Sequence, residues 1–224
     1  GLRATWIGHA TTLVELEGRR VLFDPMFSER CSPVSFAGPK RFFPPPLPLA
    51  ELPHIDIVAV SHDHYDHLDM ESIRALAAQG AEFVVPLGMG AHLQRWGVKL
   101  ARINELDWYD TATIAGLRLL ATPARHYSGR GIIGGDRVQW ASWVVLSTHS
   151  RVFFSGDSGY STEFARIGQH FGPFDLTLIK IGASDPTWAE IHMSPEDAVR
   201  THRDLRGKLL LPVRCAAVTL ARHA

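Results

Sequence analysis

Several things are scarce in this chain, and each scarcity removes a class of protein. The 224 residues hold two cysteines, Cys31 and Cys215. Two thiols so far apart make neither a metal-binding spacing nor a disulfide framework, so a reducing cytoplasm is the expected location. Charge of either sign is not in surplus: 23 Lys and Arg face 23 Asp and Glu, a formal net charge of zero. A dedicated nucleic-acid binder carries a basic excess, so no nucleic-acid partner is expected. No apolar run approaches the roughly 20 residues of a membrane helix. Residues 1–5, Gly-Leu-Arg-Ala-Thr, have neither the basic nor the apolar region of a secretory signal. Peripheral contact is the most that a membrane is expected to have. An initiator Met is missing, and the chain stops soon after its last predicted strand. Both ends are expected to be cuts inside a longer chain.

What is present is ordinary in bulk and unusual in one residue type. The chain is 46% hydrophobic and 21% charged, which suits a folded core rather than disorder. Its length suits a single domain over residues 1–224. Alternation over 12–16, a turn at Gly18-Arg19 and a return over 20–23 predict a hairpin. Apolar runs predict strands over 55–60, 82–86, 117–121, 139–146, 151–155, 176–181 and 209–213. Helices are predicted over 69–79, 89–96, 161–170 and 194–205. The last opens on Ser194 as N-cap with Pro195 behind it. Strands and helices that alternate after a hairpin suit stacked sheets flanked by helices, an α/β class. Residues 33–48, with Pro44-Pro45-Pro46, predict a long surface loop.

The unusual residue is histidine, of which there are 12. The predicted strand over 55–60 runs into Ser61-His62-Asp63-His64-Tyr65-Asp66-His67-Leu68-Asp69. His62 and His64 lie two apart, so extended backbone projects both to one side. Asp66 and His67 follow where the chain must turn into a helix. Zinc takes imidazole nitrogen and carboxylate oxygen at about 2.0–2.2 Å, and catalytic sites keep one position open. Three histidines and an aspartate in six positions therefore predict a metal site rather than a solvated turn. Iron and manganese accept similar donors, and composition does not choose among them.

His-x-His-x-Asp-His resembles the signature of the metallo-β-lactamase superfamily. The later stretches Thr122-Pro123-Ala124-Arg125-His126 and Phe154-Ser155-Gly156-Asp157-Ser158-Gly159 fit its further landmarks in order. Gly8-His9-Ala10-Thr11, Phe23-Asp24-Pro25-Met26-Phe27, Ser32-Pro33-Val34-Ser35-Phe36-Ala37-Gly38-Pro39 and Ile191-His192-Met193-Ser194-Pro195-Glu196-Asp197-Ala198 are similar to the branch that contains N-acyl-phosphatidylethanolamine-hydrolysing phospholipase D and its bacterial relatives. The resemblance covers nearly the whole chain. It implies a four-layer α/β/β/α sandwich with two adjoining zinc sites. His62, His64 and His126 would hold the first, Asp66 and His67 would belong to the second, and Asp157 would bridge. Asp24 would orient a ligand histidine from behind. Asp66 and His192 would be catalytic. The implied activity is a zinc-dependent phosphodiesterase acting on a small or lipid-like phosphodiester. Two metals about 3.5–4 Å apart clamp such a substrate in line. A lactonase similar to the ascorbate-6-phosphate lactonases is the alternative.

The resemblance breaks at one place. Relatives carry a further histidine after the final strand, whereas this chain reads Leu211-Pro212-Val213-Arg214-Cys215. Arginine stays protonated and has no lone pair to give. One zinc with Arg214 binding substrate, His192 or water as replacement ligand, and an inactive metal-binding relative all follow as alternatives. Cys215 is expected on the opposite side of a continuing strand. Arg130, in the Gly129–Gly134 stretch beside His126, is the second expected anion contact. That stretch matches a dinucleotide-binding pattern literally but neither follows a strand nor opens a helix. Gly156-Asp157-Ser158-Gly159 resembles a serine-protease nucleophile stretch but lacks a matching histidine context. Phe36, Phe42, Phe43 and residues 44–49 are a candidate apolar wall for a greasy substrate. His54, His92, His149, His170, His202 and His223 show no useful spacing.

Overall fold

The structure is a computed structural model that describes residues 1–131 and 135–220. Ile132, Ile133 and Gly134 of the glycine-rich stretch, and the final residues with His223, lie outside the described residues.

The chain opens with three antiparallel strands: β1 (Leu2–Gly8), β2 (Thr11–Leu16) and β3 (Arg19–Phe23). The β2–β3 turn is Glu17-Gly18, with φ of 51° and 79°, and Leu16 pairs with Arg19. Two positive φ values in a two-residue loop give the turn whose twist matches a hairpin. The turn therefore sits one residue earlier than predicted, and Arg19 is already strand. Parallel strands β4 (Ile57–Ala59), β5 (Glu82–Pro86) and β6 (Ile103–Leu106) complete a six-stranded sheet in sequential order. Helices α1 (Met70–Ala78) and α2 (Gly90–Arg95) lie between them in sequence.

A second sheet repeats the plan. Strands β7 (Thr111–Ile114), β8 (Leu117–Thr122), β9 (Ser142–Leu146) and β10 (Arg151–Phe154) are antiparallel. β11 (Leu176–Lys180) and β12 (Leu209–Val213) then add in parallel, with α3 (Glu163–Phe171) and α4 (Pro195–Asp204) as the connections. Strands buried on both faces read as unbroken apolar runs, as in β4.

Burial sorts into layers. Phe23, Trp143, Phe154 and Leu178 belong to the core between the sheets. Ile73, Leu76 and Leu93 seal α1 and α2 on the first sheet. Phe164, Ile167 and Ala198 seal α3 and α4 on the second. That is the four-layer α/β/β/α arrangement. Ser194 caps α4 as expected: its hydroxyl accepts from Asp197 N–H and the Asp197 carboxylate accepts from Ser194 N–H. Asp69 does not cap α1. Its carboxylate instead accepts from the N–H groups of Phe27 and Ser28 and the Ser28 hydroxyl, which ties the 27–28 segment to the helix start.

The consequence for function lies at strand ends. β1, β4, β8, β10, β11 and β12 all deliver polar residues at their C-terminal ends: His9, His62, His126, Asp157, Lys180 and Arg214. Open α/β sheets place ligands at that edge.

Candidate metal centre

The loop after β4 starts at a brace. Asp24 follows β3 with φ of 42° and is completely buried. One carboxylate oxygen accepts from Ser61 N–H at 2.7 Å. The other accepts from the Ser61 hydroxyl at 2.7 Å and His67 Nδ1 at 2.6 Å. Ser61 has then used its proton, so its oxygen accepts from His62 Nδ1 at 2.9 Å. This turns the lone pair of His62 Nε2 away from the brace. Asp24 thus orients two histidines, as the sequence reading expects for one. Gly156, with φ of 56°, lets the loop after β10 press against Ser61 where a Cβ would clash.

His62 Nε2 lies 3.0 Å from His64 Nδ1, and His126 Nε2 lies 3.3 Å from the same atom. His126 arrives from the loop after β8, and its Nδ1 donates to the Ile191 carbonyl at 3.2 Å. Three imidazole nitrogens therefore converge. Burial, reinforced by the neighbouring His67, holds the pKa of His62 well below its ordinary value. Burial also lowers His64 and takes His126 to about 3. Neutral imidazoles with lone pairs aimed at one point are a donor set for a divalent ion.

Asp157 borders this cluster. Its Oδ2 lies 3.5 Å from His67 Nε2, 3.6 Å from His192 Nδ1 and 4.0 Å from His126 Nε2. Both Asp157 oxygens, His67 Nε2 and His192 Nδ1 are buried without an aligned hydrogen-bond partner. Buried polar groups are rarely left so, and an ion among His126, Asp157 and His192 would give the carboxylate a partner. The residues therefore fit a metal at the three-histidine position.

Beyond Asp157 the character changes. Asp66 Oδ2 accepts from His9 Nε2 at 2.8 Å and from Arg214 Nη2 at 3.1 Å, with His67 Nε2 also 3.1 Å away. Arg214 Nε lies 2.6 Å from Asp157 Oδ2. Burial opposes ionisation of both carboxylates, yet His67 and Arg214 hold both well below the usual range. Burial likewise opposes a proton on His67, and the carboxylates of Asp66, Asp157 and Asp24 more than reverse that. This half is an ion-pair network with a permanent cation in it.

The predicted residues divide accordingly. His62, His64, Asp66, His67, His126, Asp157, His192 and Arg214 come together, with Asp24 behind them. Arg130 does not join them through its side chain. Its guanidinium donates to the carbonyls of Asp63 and Leu68, each at 2.7 Å, and stacks over Tyr65. Arg130 ties its own segment to the metal-binding loop. With Tyr65 and Trp96 it also lines a surface hollow of about 680 Å³ that none of the clustered histidines reaches. Phe36, Phe42 and Phe43 are exposed and absent from that lining. The expected alternation of Cys215 is corrected. β12 ends at Val213, Arg214 turns with φ of 57°, and Cys215 bridges to His9.

Sequence reasoning missed two residues. His9 sits in the quoted Gly8-His9-Ala10-Thr11 stretch, but no spacing ties it to Asp66. Lys180 ends β11 fully buried, with Nζ 3.4 Å from the Met193 carbonyl, and burial takes its pKa down to about 7. It reads in the sequence as one polar residue ending an apolar strand.

Comparisons with known proteins place the chain in a family. The family described as Beta-lactamase superfamily domain matches residues 19–213. An uncharacterized protein of Mycobacterium tuberculosis is 49% identical over 99% of this chain and 60% of its own length. N-acyl-phosphatidylethanolamine-hydrolyzing phospholipase D 1 of Caenorhabditis elegans is 39% identical over 93% of this chain and 62% of its own length. The chain thus spans about six-tenths of these two relatives. An isothiocyanate hydrolase from Delia radicum gut bacteria has the same fold: TM-score 0.75 and 20% identity over 99% of this chain and 88% of the other. Among the described residues, no helix is long and apolar enough to cross a membrane.

Proposed function

The chain belongs to the beta-lactamase superfamily, and from that membership we propose that it is a metal-dependent hydrolase of phosphodiesters, similar in reaction to a phospholipase D. The observation that carries the metal is the convergence of His62, His64 and His126 beside the buried Asp157 carboxylate. The phosphodiester class rests on the phospholipase D relative that covers most of this chain. Zinc is the ion proposed, since three imidazoles and a carboxylate suit it; iron and manganese accept the same donors. A bound divalent ion supplies Lewis acidity that activates water and polarises a phosphoryl oxygen.

The chain's own groups do the rest. Asp66, kept ionised by His67 and Arg214, orients the attacking water or accepts its proton. His192, held neutral by burial with Nδ1 facing Asp157, is placed to donate to or accept from the leaving oxygen. Arg214 directs positive charge toward developing phosphate charge. Arg130 acts through the loop it ties. A small or lipid-like phosphodiester is the proposed substrate, with no nucleic-acid partner. The free cysteines Cys31 and Cys215 suit the proposed cytoplasmic location.

The test is hydrolysis by zinc-loaded protein of a nitrophenyl phosphodiester and of vesicles containing an N-acylated phosphatidylethanolamine, beside a sugar lactone. His62→Ala and His64→Ala, checked for folding, should each lose about 10³-fold in rate. Unchanged rates sink the metal reading. Faster opening of the lactone replaces the phosphodiesterase with a lactonase. No turnover of any substrate leaves a metal-binding protein without this activity.

A further inference from the structure

We infer that this centre is built for one metal ion, with the guanidinium of Arg214 standing in the place a second ion would need. This rests on the metal part of the proposed function and not on its substrate.

The argument starts from the carboxylates. Asp66 and Asp157 are both buried, and the donor group that could hold an ion beside His67, formed with His9, depends on the Asp66 oxygen. Both already face Arg214: Nη2 donates to Asp66 Oδ2 at 3.1 Å, and Nε is 2.6 Å from Asp157 Oδ2. Coordination holds an ion about 2 Å from oxygen and hydrogen bonding holds nitrogen about 3 Å from it, so ion and guanidinium would lie within about 5 Å. Little water is present to screen that repulsion, since the Arg214 side chain is 6% exposed and those of Asp66 and Asp157 are 9% and 0%.

Arg214 is also hard to displace. Its N–H donates to the His9 carbonyl at 2.8 Å, and its carbonyl accepts from Gly182 N–H at 3.1 Å. The residue takes φ of 57°, and Gly182 packs so closely on its carbonyl that a Cβ has no room. A β12 terminus pinned on both sides aims the side chain inward. Charge balance agrees. The Arg214 guanidinium already offsets one of the two carboxylate charges. Without Arg214 the same carboxylates would call for a further cation. His9 completes the arrangement by donating to Asp66 Oδ2 from the far side. The guanidinium differs from a metal in two ways: it cannot exchange with solution, and it does not titrate near neutral pH.

The experiment counts ions. Metal-free protein is loaded with excess zinc(II), desalted and analysed by elemental mass spectrometry, as wild type and as Arg214→His. One zinc per chain is expected for the wild type and two for Arg214→His. X-ray absorption on the zinc-loaded wild type should show no zinc–zinc scattering at the roughly 3.5–4 Å of a paired site. Two zincs per wild-type chain, or zinc–zinc scattering, overturns the inference. One zinc in both folded proteins overturns the part given to Arg214. No zinc in folded wild type overturns the inference together with the metal reading. One zinc without phosphodiester turnover defeats the proposed substrate and leaves the inference standing. If Arg214→His fails to fold, the wild-type count and the scattering still decide.

Discussion

The two sides of Asp157 use similar residues in opposite ways. On one side His62, His64 and His126 aim three lone pairs at one point, and burial keeps them neutral. On the other, Asp66, His67 and Arg214 are locked in ion pairs. Burial opposes charge on both sides. It wins at His126, where the pull of Asp157 is weaker than the cost of burial, and loses where carboxylates and a guanidinium face each other. A histidine pair as close in sequence as His64 and His67 thus acquires opposite character: His64 is lowered and His67 raised. Residue type alone does not decide which half receives a metal.

The comparison can be broken at its cation. Arg214→Met removes the permanent partner of two buried carboxylates, and metal-free protein should lose about 3–5 kcal/mol of stability, measured by urea unfolding. Added zinc should then recover part of the loss, as it would not for wild type beyond one equivalent. A loss below about 1 kcal/mol would mean that Arg214 carries no such charge burden.

Acid should act on the first half. His126 and His192 titrate near 3 in the fold, against 6.5 when exposed. Below pH 6.5 the unfolded chain takes up protons that the fold refuses. Their contribution is therefore present above 6.5 and lost as pH falls toward 3. Each such histidine costs up to about 1.4 kcal/mol per pH unit. His67 has the opposite sign: its contribution is complete below 6.5 and is lost only as pH rises through its elevated value. Thermal midpoints of metal-free protein should decline steadily from pH 6.5 to 4.5. A flat profile would contradict the neutral-cluster description.

Asp24 joins the halves, because its carboxylate serves Ser61 behind His62 and also serves His67. Asp24→Asn should weaken zinc affinity by about 10–100-fold in a competition titration with a chelating dye. Unchanged affinity would confine Asp24 to folding. The smallest effect is expected outside both halves: Ser194→Ala removes the α4 cap and should cost about 1 kcal/mol of stability while leaving zinc affinity intact. A shift in affinity there would extend the site to the segment that carries His192.

Much of the fold is readable in advance where the signal is local. β5 has the bounds that its apolar run predicts, and α1 falls one residue inside its predicted ends. The missed strands are β1, β6 and β7. The last two are four residues long and lie at sheet edges. One buried face and so few residues leave too little alternation to detect. The site divides in the same way. His62, His64, Asp66 and His67 share one loop, so their spacing alone suggests metal binding. His126 and Asp157 come only with the family resemblance. His9 carries no spacing signal at all, since it lies 57 positions from the Asp66 it supports.

By itself, the sequence determined the balanced charge, the alternating order of strands and helices, and a loop that concentrates metal donors beyond what a solvated turn needs. It also determined that an arginine stands where the family resemblance leads one to expect a histidine. Only the tertiary structure decided where that arginine points. Arg214 and Asp66 are 148 positions apart, and their meeting depends on how two sheets stack and where β12 ends. Metal preference and pKa are set by distances of a few ångströms and by the exclusion of water. Those quantities exist only once separate strand ends share one edge of the sandwich.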